Sequence, residues 1–77
     1  MLVTVYTRST CSPCKTVKWF LQKNEVPFIE KNIDESDNFA EFSKLTNLQM
    51  VPLVVIGDLK IQGLNIPSLK KAIDYIK

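Results

Sequence analysis

Residues 2–14 read LVTVYTRSTCSPC and join a strand-like run to a Cys-x-x-Cys motif. The first six of them are mostly β-branched, aromatic or aliphatic, a composition that favours extended backbone. Ser9-Thr10 interrupts this pattern. A proline then follows at Ser12-Pro13, where it suits a first helical turn because its missing N–H has no intrahelical partner there. The stretch therefore predicts a β-strand, a short loop and a helix that begins around the two cysteines.

The remaining patterns predict three more strands and two more helices. The first helix ends before Pro27, since the residue preceding a proline avoids the α region. The later elements are a strand at 28–33, a helix capped by the segment Asp34-Glu35-Ser36-Asp37, strands at 53–56 and 59–62, and a helix from residue 66. Phe39 and Phe42 of the second helix are expected to lie in the core. Acidic residues suit a helix start because the dipole and the unpaired amides favour negative charge there.

The predicted order is βαβαββα, an α/β arrangement. Alternation at the start implies a parallel βαβ unit with a right-handed crossover, and the final pair of strands closes as an antiparallel hairpin. We therefore expect a four-stranded mixed sheet with three helices. A length of 77 residues fits one small domain spanning 1–77.

Charge and hydropathy exclude several classes of protein. Ten basic and eight acidic residues interleave to a net charge of +2, without the basic stripe of a nucleic-acid-binding domain. The longest apolar run, residues 51–57, is far too short to span a membrane, and residues 1–7 lack the apolar core of a signal peptide. We expect a soluble, cytoplasmic monomer that binds neither nucleic acid nor membranes.

The chain has two cysteines and no histidine. A disulfide between Cys11 and Cys14 closes too small a loop to stabilise the fold much, and small secreted scaffolds carry more cysteines. A structural zinc site needs four ligands, so one chain cannot complete it; an intermolecular zinc site and a pair of inert thiols remain the alternatives. A Cys-x-x-Cys in a βαβ context instead indicates a redox-active disulfide with no bound cofactor or metal.

The predicted position of the motif suits thiol–disulfide exchange. At a helix N-terminus, unpaired amides and the helix dipole stabilise a Cys11 thiolate and lower its pKa. Cys14 lies one turn further on, close enough to attack a mixed disulfide formed at Cys11. Cys14 also continues the apolar face of Val17 and Leu21, so we expect it to be the more buried cysteine.

Two neighbours of the motif are assigned no role in catalysis or binding. Lys15 is expected to be an ordinary solvated lysine. Trp19 and Phe20 are adjacent in a helix and cannot both face the core. Phe20 fits the inner stripe, so Trp19 is expected to be partly exposed and to pack over its own helix rather than to bind a partner.

Three segments resemble the glutaredoxins and NrdH-redoxins of the thioredoxin superfamily. They are the strand and active-site loop at 5–14, the segment 47–58, and the glycine turn at 63–69, and the likeness covers essentially the whole chain. The resemblance implies a thioredoxin-like fold in which Cys11 is the nucleophile, Cys14 resolves and the Val51–Pro52 bond is cis. The substrate-binding residues it implies are Arg8, Ser12, Pro13, Val51, Pro52 and Gly63.

Departures from the glutathione-using pattern favour the NrdH type. Ser12-Pro13 replaces the usual Pro-Tyr, and a proline before the second cysteine resembles thioredoxin. Leu64 follows Gly63 where glutathione binders have a second glycine. Residues 63–71 contain no acidic side chain, so the ammonium end of glutathione loses its pairing charge. Arg8 matches the basic position that meets the glutathione carboxylate, but NrdH-redoxins are basic there too.

The resemblance implies a dithiol–disulfide oxidoreductase with a disulfide-bearing client such as ribonucleotide reductase, recycled by thioredoxin reductase. The alternative within the same fold is a glutaredoxin that depends on glutathione. A third reading, from a different class, is a metal or iron–sulfur cluster carrier that uses Cys11 from two chains. The presence of Cys14 argues against that reading, because cluster-holding glutaredoxins usually have a single-cysteine motif.

Overall fold

The seven elements follow the predicted order βαβαββα in the computed structural model, which describes residues 2–47 and 50–76. The elements are β1 (Val3–Thr7), α1 (Ser12–Lys23), β2 (Ile29–Asn32), α2 (Ser36–Leu45), β3 (Leu53–Ile56), β4 (Leu59–Gln62) and α3 (Ile66–Ile76). Leu48 and Gln49, which belong to the second segment of the family resemblance, lie outside the described residues. Within the described ranges, no helix is long and apolar enough to cross a membrane.

The four strands form one mixed sheet, as predicted, and their order in it is β2-β1-β3-β4. β1 pairs parallel with β2, while β3 is antiparallel to both β1 and β4. Tyr6 near the end of β1 lies opposite Leu53 at the start of β3. Because these two central strands run in opposite directions, the loop after β1 and the loop before β3 emerge at the same edge of the sheet. This edge brings the cysteine motif close to Pro52.

Each face of the sheet is covered by helices. Side chains alternate between the faces along each strand, so neighbouring residues enter different cores. The larger core, between the sheet and the pair α1 and α3, contains Val3, Val5, Val17, Leu21, Val26, Val54, Ile56, Ile61, Leu69, Ala72 and Ile73. The smaller core, under α2, contains Tyr6, Ile33, Phe42 and Leu53. Of the two phenylalanines predicted to be core, Phe42 is fully buried and Phe39 is partly buried against it.

Residues 34–37 begin α2 as predicted, with the acidic Asp37 in its first turn, but a side-chain cap is not formed within the described part of the chain. Glu35 occupies the N-cap position, and its side chain makes no capping hydrogen bond to the described residues. The Asp34 carboxylate instead accepts a hydrogen bond from the Ser9 backbone N–H at 3.2 Å. The carboxylate of Asp34 therefore binds the loop after β1 rather than the start of α2. The second strand is also shorter than predicted, covering Ile29–Asn32 rather than 28–33.

Candidate redox site

Cys11 occupies the N-cap position of α1. Its backbone is extended (φ −101°, ψ 110°), and its Sγ accepts the backbone N–H of Cys14 at 3.2 Å. Serine, threonine and aspartate oxygens usually make this bond to the third helical residue, which otherwise has no partner. When Cys11 is reduced, the same amide and the helix dipole favour a negative sulfur. The predicted placement of Cys11 at a helix N-terminus is confirmed.

Cys11 and Cys14 are joined as a disulfide, with their Cα atoms 5.3 Å apart. The two sulfurs differ in accessibility: Cys14 is 1% exposed and belongs to the inner face of α1, whereas Cys11 is only partly buried. The prediction that Cys14 is the more buried cysteine is therefore confirmed. A bulky disulfide can approach Cys11 from solvent, but it cannot reach Cys14 without moving the helix.

The Val51–Pro52 peptide bond is cis, as the family resemblance implied. The Val51 carbonyl oxygen lies 4.0 Å from Cys11 Sγ, and Pro52 is buried behind it. In the disulfide form Cys11 has no proton to donate, so this is a contact rather than a hydrogen bond. It places the backbone of Val51 directly beside the accessible sulfur.

Gly63 packs against the segment that carries Val51. Its N–H donates to the Pro52 carbonyl at 2.8 Å, and its φ of +80° is one that side chains rarely adopt. A Cβ added at Gly63 would meet Met50 Sδ at 3.4 Å. The positive φ is what requires glycine here, since the Met50 side chain lies at about ordinary contact distance.

Gln62 fixes the same segment and was missed in the sequence. Its Nε2 donates to the Met50 carbonyl at 2.9 Å, and its Oε1 accepts from Thr46 Oγ1 at 3.0 Å. One side chain therefore links the end of α2 to the residue before Val51. The sequence shows Gln62 only as a polar position in an alternating strand, and no local signal reveals these partners.

Arg8 lies in the loop after β1 and is paired with Asp34, whose role was also missed in the sequence. Arg8 Nε is 3.5 Å from Asp34 Oδ1, and both side chains are about half exposed. The hydrogen bond from the Ser9 backbone N–H, followed by the Ser9 side chain and Arg8, lowers the pKa of Asp34 below its usual 3.8. Asn32 donates to Ser9 Oγ at 2.9 Å and ties the loop to β2. The Asp34 carboxylate thus partly neutralises the positive charge of Arg8 before any substrate binds.

This contact predicts a pH dependence of stability. A carboxylate whose pKa is lower in the folded state stabilises the fold fully above its unfolded pKa, and this contribution is lost as pH falls through the folded value. We expect the Asp34 contribution to be complete at pH 7, to begin to fall near 3.8, the usual aspartate pKa, and to be lost as the pH passes below the lower pKa of the folded state. In Asp34→Asn, urea unfolding at pH 7 and pH 3 should therefore show a smaller acid-induced loss of stability than in the unsubstituted protein.

Asp58→Asn serves as the control for this prediction, because Asp58 is exposed in the β3–β4 turn and has no ion pair among the described residues. Its acid-induced loss should match that of the unsubstituted protein. An Asp34→Asn protein that loses as much stability in acid as the unsubstituted one would contradict the role assigned to Asp34.

Ser12 and Pro13 form the exposed first turn of α1 between the cysteines. Of the residues singled out in the sequence, Val51 contacts Cys11 Sγ and Ser12 and Pro13 lie between the cysteines. The Arg8 carbonyl accepts the Cys11 backbone N–H at 3.4 Å, and Pro52 and Gly63 follow Val51 in the opposite loop, joined by their own hydrogen bond. No group of three or more potential metal ligands occurs among residues 2–47 and 50–76.

The sheet has the order β2-β1-β3-β4, a cysteine pair lies at a strand–helix junction, and a cis-proline faces this pair. These features define a thiol–disulfide redox domain of the thioredoxin fold. The glutaredoxin sequence profile matches residues 3–61, and the chain belongs to the glutaredoxin family. It is therefore a thiol–disulfide oxidoreductase.

Curated relatives include proteins named glutaredoxin-like protein NrdH. The protein of that name from Lactococcus lactis subsp. cremoris is 34% identical over 70 residues, covering 91% of this chain and 97% of the relative. The one from Escherichia coli K12 is 30% identical over 63 residues, covering 82% of this chain and 78% of the relative.

Solved structures show the same likeness. The NrdH-redoxin from Escherichia coli, described as a glutaredoxin-like protein with a thioredoxin-like activity profile, matches with a TM-score of 0.81 at 27% identity, covering 92% of this chain and 93% of that one. A glutaredoxin from Archaeoglobus fulgidus gives a TM-score of 0.82 at 31% identity, with coverages of 92% and 84%. A buckwheat glutaredoxin–glutathione complex gives 0.71 at 26% identity, with coverages of 95% and 69%.

Proposed function

We propose that this chain is an NrdH-type redoxin that reduces protein disulfides, with Cys11 as the nucleophile and Cys14 as the resolving thiol. The observation that carries the proposal is the asymmetry of the pair. Cys11 is only partly buried and its Sγ accepts an amide N–H at a helix N-terminus, whereas Cys14 is buried. The first sulfur is thus suited to be an attacking thiolate, and the second is positioned to react only with its neighbour.

The reaction transfers two electrons in two exchange steps. The Cys11 thiolate attacks one sulfur of the client disulfide; the client S–S bond breaks, and its leaving thiolate takes up a proton from water. Cys14 then loses its proton and attacks Cys11 Sγ, which forms the Cys11–Cys14 disulfide and releases the second client thiol. The client gains two electrons and the redoxin loses two, which an external reductase restores.

The Val51 backbone supports binding of an extended client segment. Its carbonyl lies 4.0 Å from Cys11 Sγ, so a segment that pairs with this backbone as a short strand brings its own disulfide to the sulfur. Gly63 and the buried Pro52 hold this backbone in place, while Ser12 and Pro13 border it from α1.

Thioredoxin reductase is the proposed reductant, and a cytoplasmic ribonucleotide reductase is the proposed client, in line with the likeness to NrdH proteins. Asn65, which caps α3 by accepting the Ser68 N–H at 3.2 Å, is neutral, and residues 63–71 offer no carboxylate for the glutathione amine. Arg8 is partly matched by Asp34, which weakens its attraction for the glutathione carboxylate. We further propose that residues 1–77 act as one monomeric domain without a bound cofactor.

Glutathione-dependent reduction is the second candidate, favoured by the structural match to a glutaredoxin–glutathione complex and by the basic Arg8. The two candidates differ in the enzyme that must return electrons to the Cys11–Cys14 disulfide. One assay with two reducing systems therefore separates them.

The test is NADPH oxidation with insulin as the protein disulfide, coupled in parallel to thioredoxin reductase and to glutathione with glutathione reductase. We expect at least about a tenfold higher rate in the first arm, a difference of about 1.4 kcal/mol in transition-state free energy. Turnover only with glutathione would replace the NrdH-type proposal by the second candidate. No turnover in either arm, with both thiols shown to be free, would refute the proposed function altogether.

A further inference from the structure

One exposed face of α1 leads away from the redox site. Lys15, Trp19 and Lys23, which we call the α1 stripe, are spaced four residues apart and so lie on the same side of the helix. The stripe begins one turn after Cys11, whose carbonyl accepts the Lys15 backbone N–H at 3.4 Å. The Lys23 ammonium lies 4.9 Å from the centroid of the Trp19 ring, a cation–π contact that confirms this adjacency.

The side chain of Trp19 lies largely outside the hydrophobic core. It is 56% exposed, and its ring makes a cation–π contact with Lys23. The core side of α1 is supplied by Cys14, Val17 and Leu21 instead. The expectation that Trp19 packs over its helix therefore accounts for only part of its surface, and the rest is available to a partner.

The charge of the α1 stripe is uniformly positive. α1 contains three lysines and no acidic residue. Lys18 lies outside the stripe and is paired with Glu30 at 2.9 Å, a bond that is the first cause of the lowered pKa of Glu30. Lys15 and Lys23 form no ion pair with any described residue, so two uncompensated cations flank one exposed indole ring.

We propose that the α1 stripe is a docking surface for an acidic segment next to the cysteines of the client disulfide. This inference rests on the proposed function, since the stripe matters only if a protein disulfide reacts at Cys11. Client carboxylates pair with Lys15 and Lys23, while an apolar client side chain covers Trp19, a residue type enriched at binding hot spots. Opposite charge also steers the client towards the adjacent sulfur and raises the association rate.

The helix geometry sets the spacing that the client needs. Lys15 and Lys23 are eight residues apart, which corresponds to about 12 Å along a helix axis at about 1.5 Å per residue. An extended segment covers that distance in about four residues at about 3.3 Å each. The inferred segment therefore carries two acidic residues about four positions apart with an apolar residue between them.

The test compares two peptide disulfides in single-turnover reactions with pre-reduced protein. One peptide carries glutamates four positions apart around a leucine, next to an intramolecular disulfide, and its twin has lysines in place of the glutamates. At low ionic strength we expect the acidic peptide to react about tenfold faster, with the ratio falling towards about twofold in 0.5 M salt, where charges are screened beyond a few ångströms.

A matched pair of double variants tests whether the preference for the acidic peptide arises at the α1 stripe. Lys15→Gln/Lys23→Gln is expected to reduce the acidic-to-basic rate ratio to about twofold or less, because it removes both cations of the stripe. Lys70→Gln/Lys71→Gln changes the net charge equally on α3 and should keep most of the ratio. Equal loss of the ratio in both variants would show that net charge alone steers the client, and it would overturn the proposed docking surface.

Reduction of 2-hydroxyethyl disulfide, which is small and neutral, separates failure of this inference from failure of the proposed function. If the unsubstituted protein reduces neither this compound nor insulin, the proposed function fails. If the protein reduces it but reacts equally fast with both peptides, the oxidoreductase proposal stands and the docking surface is wrong. Trp19→Ala extends the test to the ring, since its loss should lower the rate with the acidic peptide at least about threefold.

Discussion

Replacing Cys11 with serine is expected to lower the rate of disulfide reduction by at least about 1,000-fold. A serine hydroxyl is not ionised near neutral pH and cannot form a mixed disulfide, so neither the attack nor the electron transfer is possible. The amide of Cys14 that meets Cys11 Sγ can still donate to a serine oxygen in the same N-cap position, so the helix start should be preserved. The measurement is single-turnover reduction of insulin by the pre-reduced protein, with far-UV circular dichroism to verify folding.

Cys14→Ser is the matched variant, because it leaves the attacking thiolate but removes the resolving one. We expect it to react once and to remain linked to the client through Cys11, which intact-mass spectrometry detects as an adduct that dithiothreitol releases. The roles assigned to the two sulfurs would be refuted if Cys11→Ser formed the adduct at Cys14. Multiple turnover of Cys14→Ser at the unsubstituted rate would equally refute a resolving role for Cys14.

The sequence predicts the order of elements because apolar spacing depends on local geometry. The run before Thr7 and the continuous apolar run 53–56 both indicate strands, and the structure places both in the middle of the sheet. The position of Cys11 follows from the same local rules, since the strand pattern ends and a proline-containing helical turn begins around it. The cis bond at Val51–Pro52 was predicted only from the family resemblance, because most bonds before proline are trans.

The hydrogen-bond partners of Asp34 and Gln62 could not be predicted from local patterns, because strand register determines which residues lie beside them. Thr7 pairs with Asn32 across β1 and β2, which brings Asp34 to the loop containing Ser9. Local rules place Asp34 in the segment 34–37 that begins α2, and they give no sign that its carboxylate accepts from Ser9, which is far away in sequence. The pairing of Gln62 with Leu53 likewise places its amide beside the Met50 carbonyl.

Phe42 carries the largest expected effect on stability. It is 1% exposed and lies in the smaller core, with its ring centroid 5.9 Å from that of Tyr6 and 6.5 Å from that of Phe39. Truncating a buried phenylalanine to alanine removes its apolar contacts and leaves a cavity, at a cost of about 3–5 kcal/mol. A domain of 77 residues has a total stability of about 4–12 kcal/mol. Phe42→Ala should therefore lose a large part of it and lower Tm by at least about 12 °C.

Trp19→Ala is the control for size, since it removes an aromatic side chain that is more than half exposed. Its cost should stay within about 1 kcal/mol, because surface positions contribute little to stability. Both variants are compared by urea unfolding followed by circular dichroism, which does not depend on the tryptophan that one of them lacks.

The smaller core supports the strand that follows Pro52, because Leu53, the first residue of β3, is one of its members. Equal destabilisation by the two substitutions would mean that α2 does not anchor this side of the sheet, and that the Val51 backbone is held by the loop contacts of Gln62 and Gly63 alone.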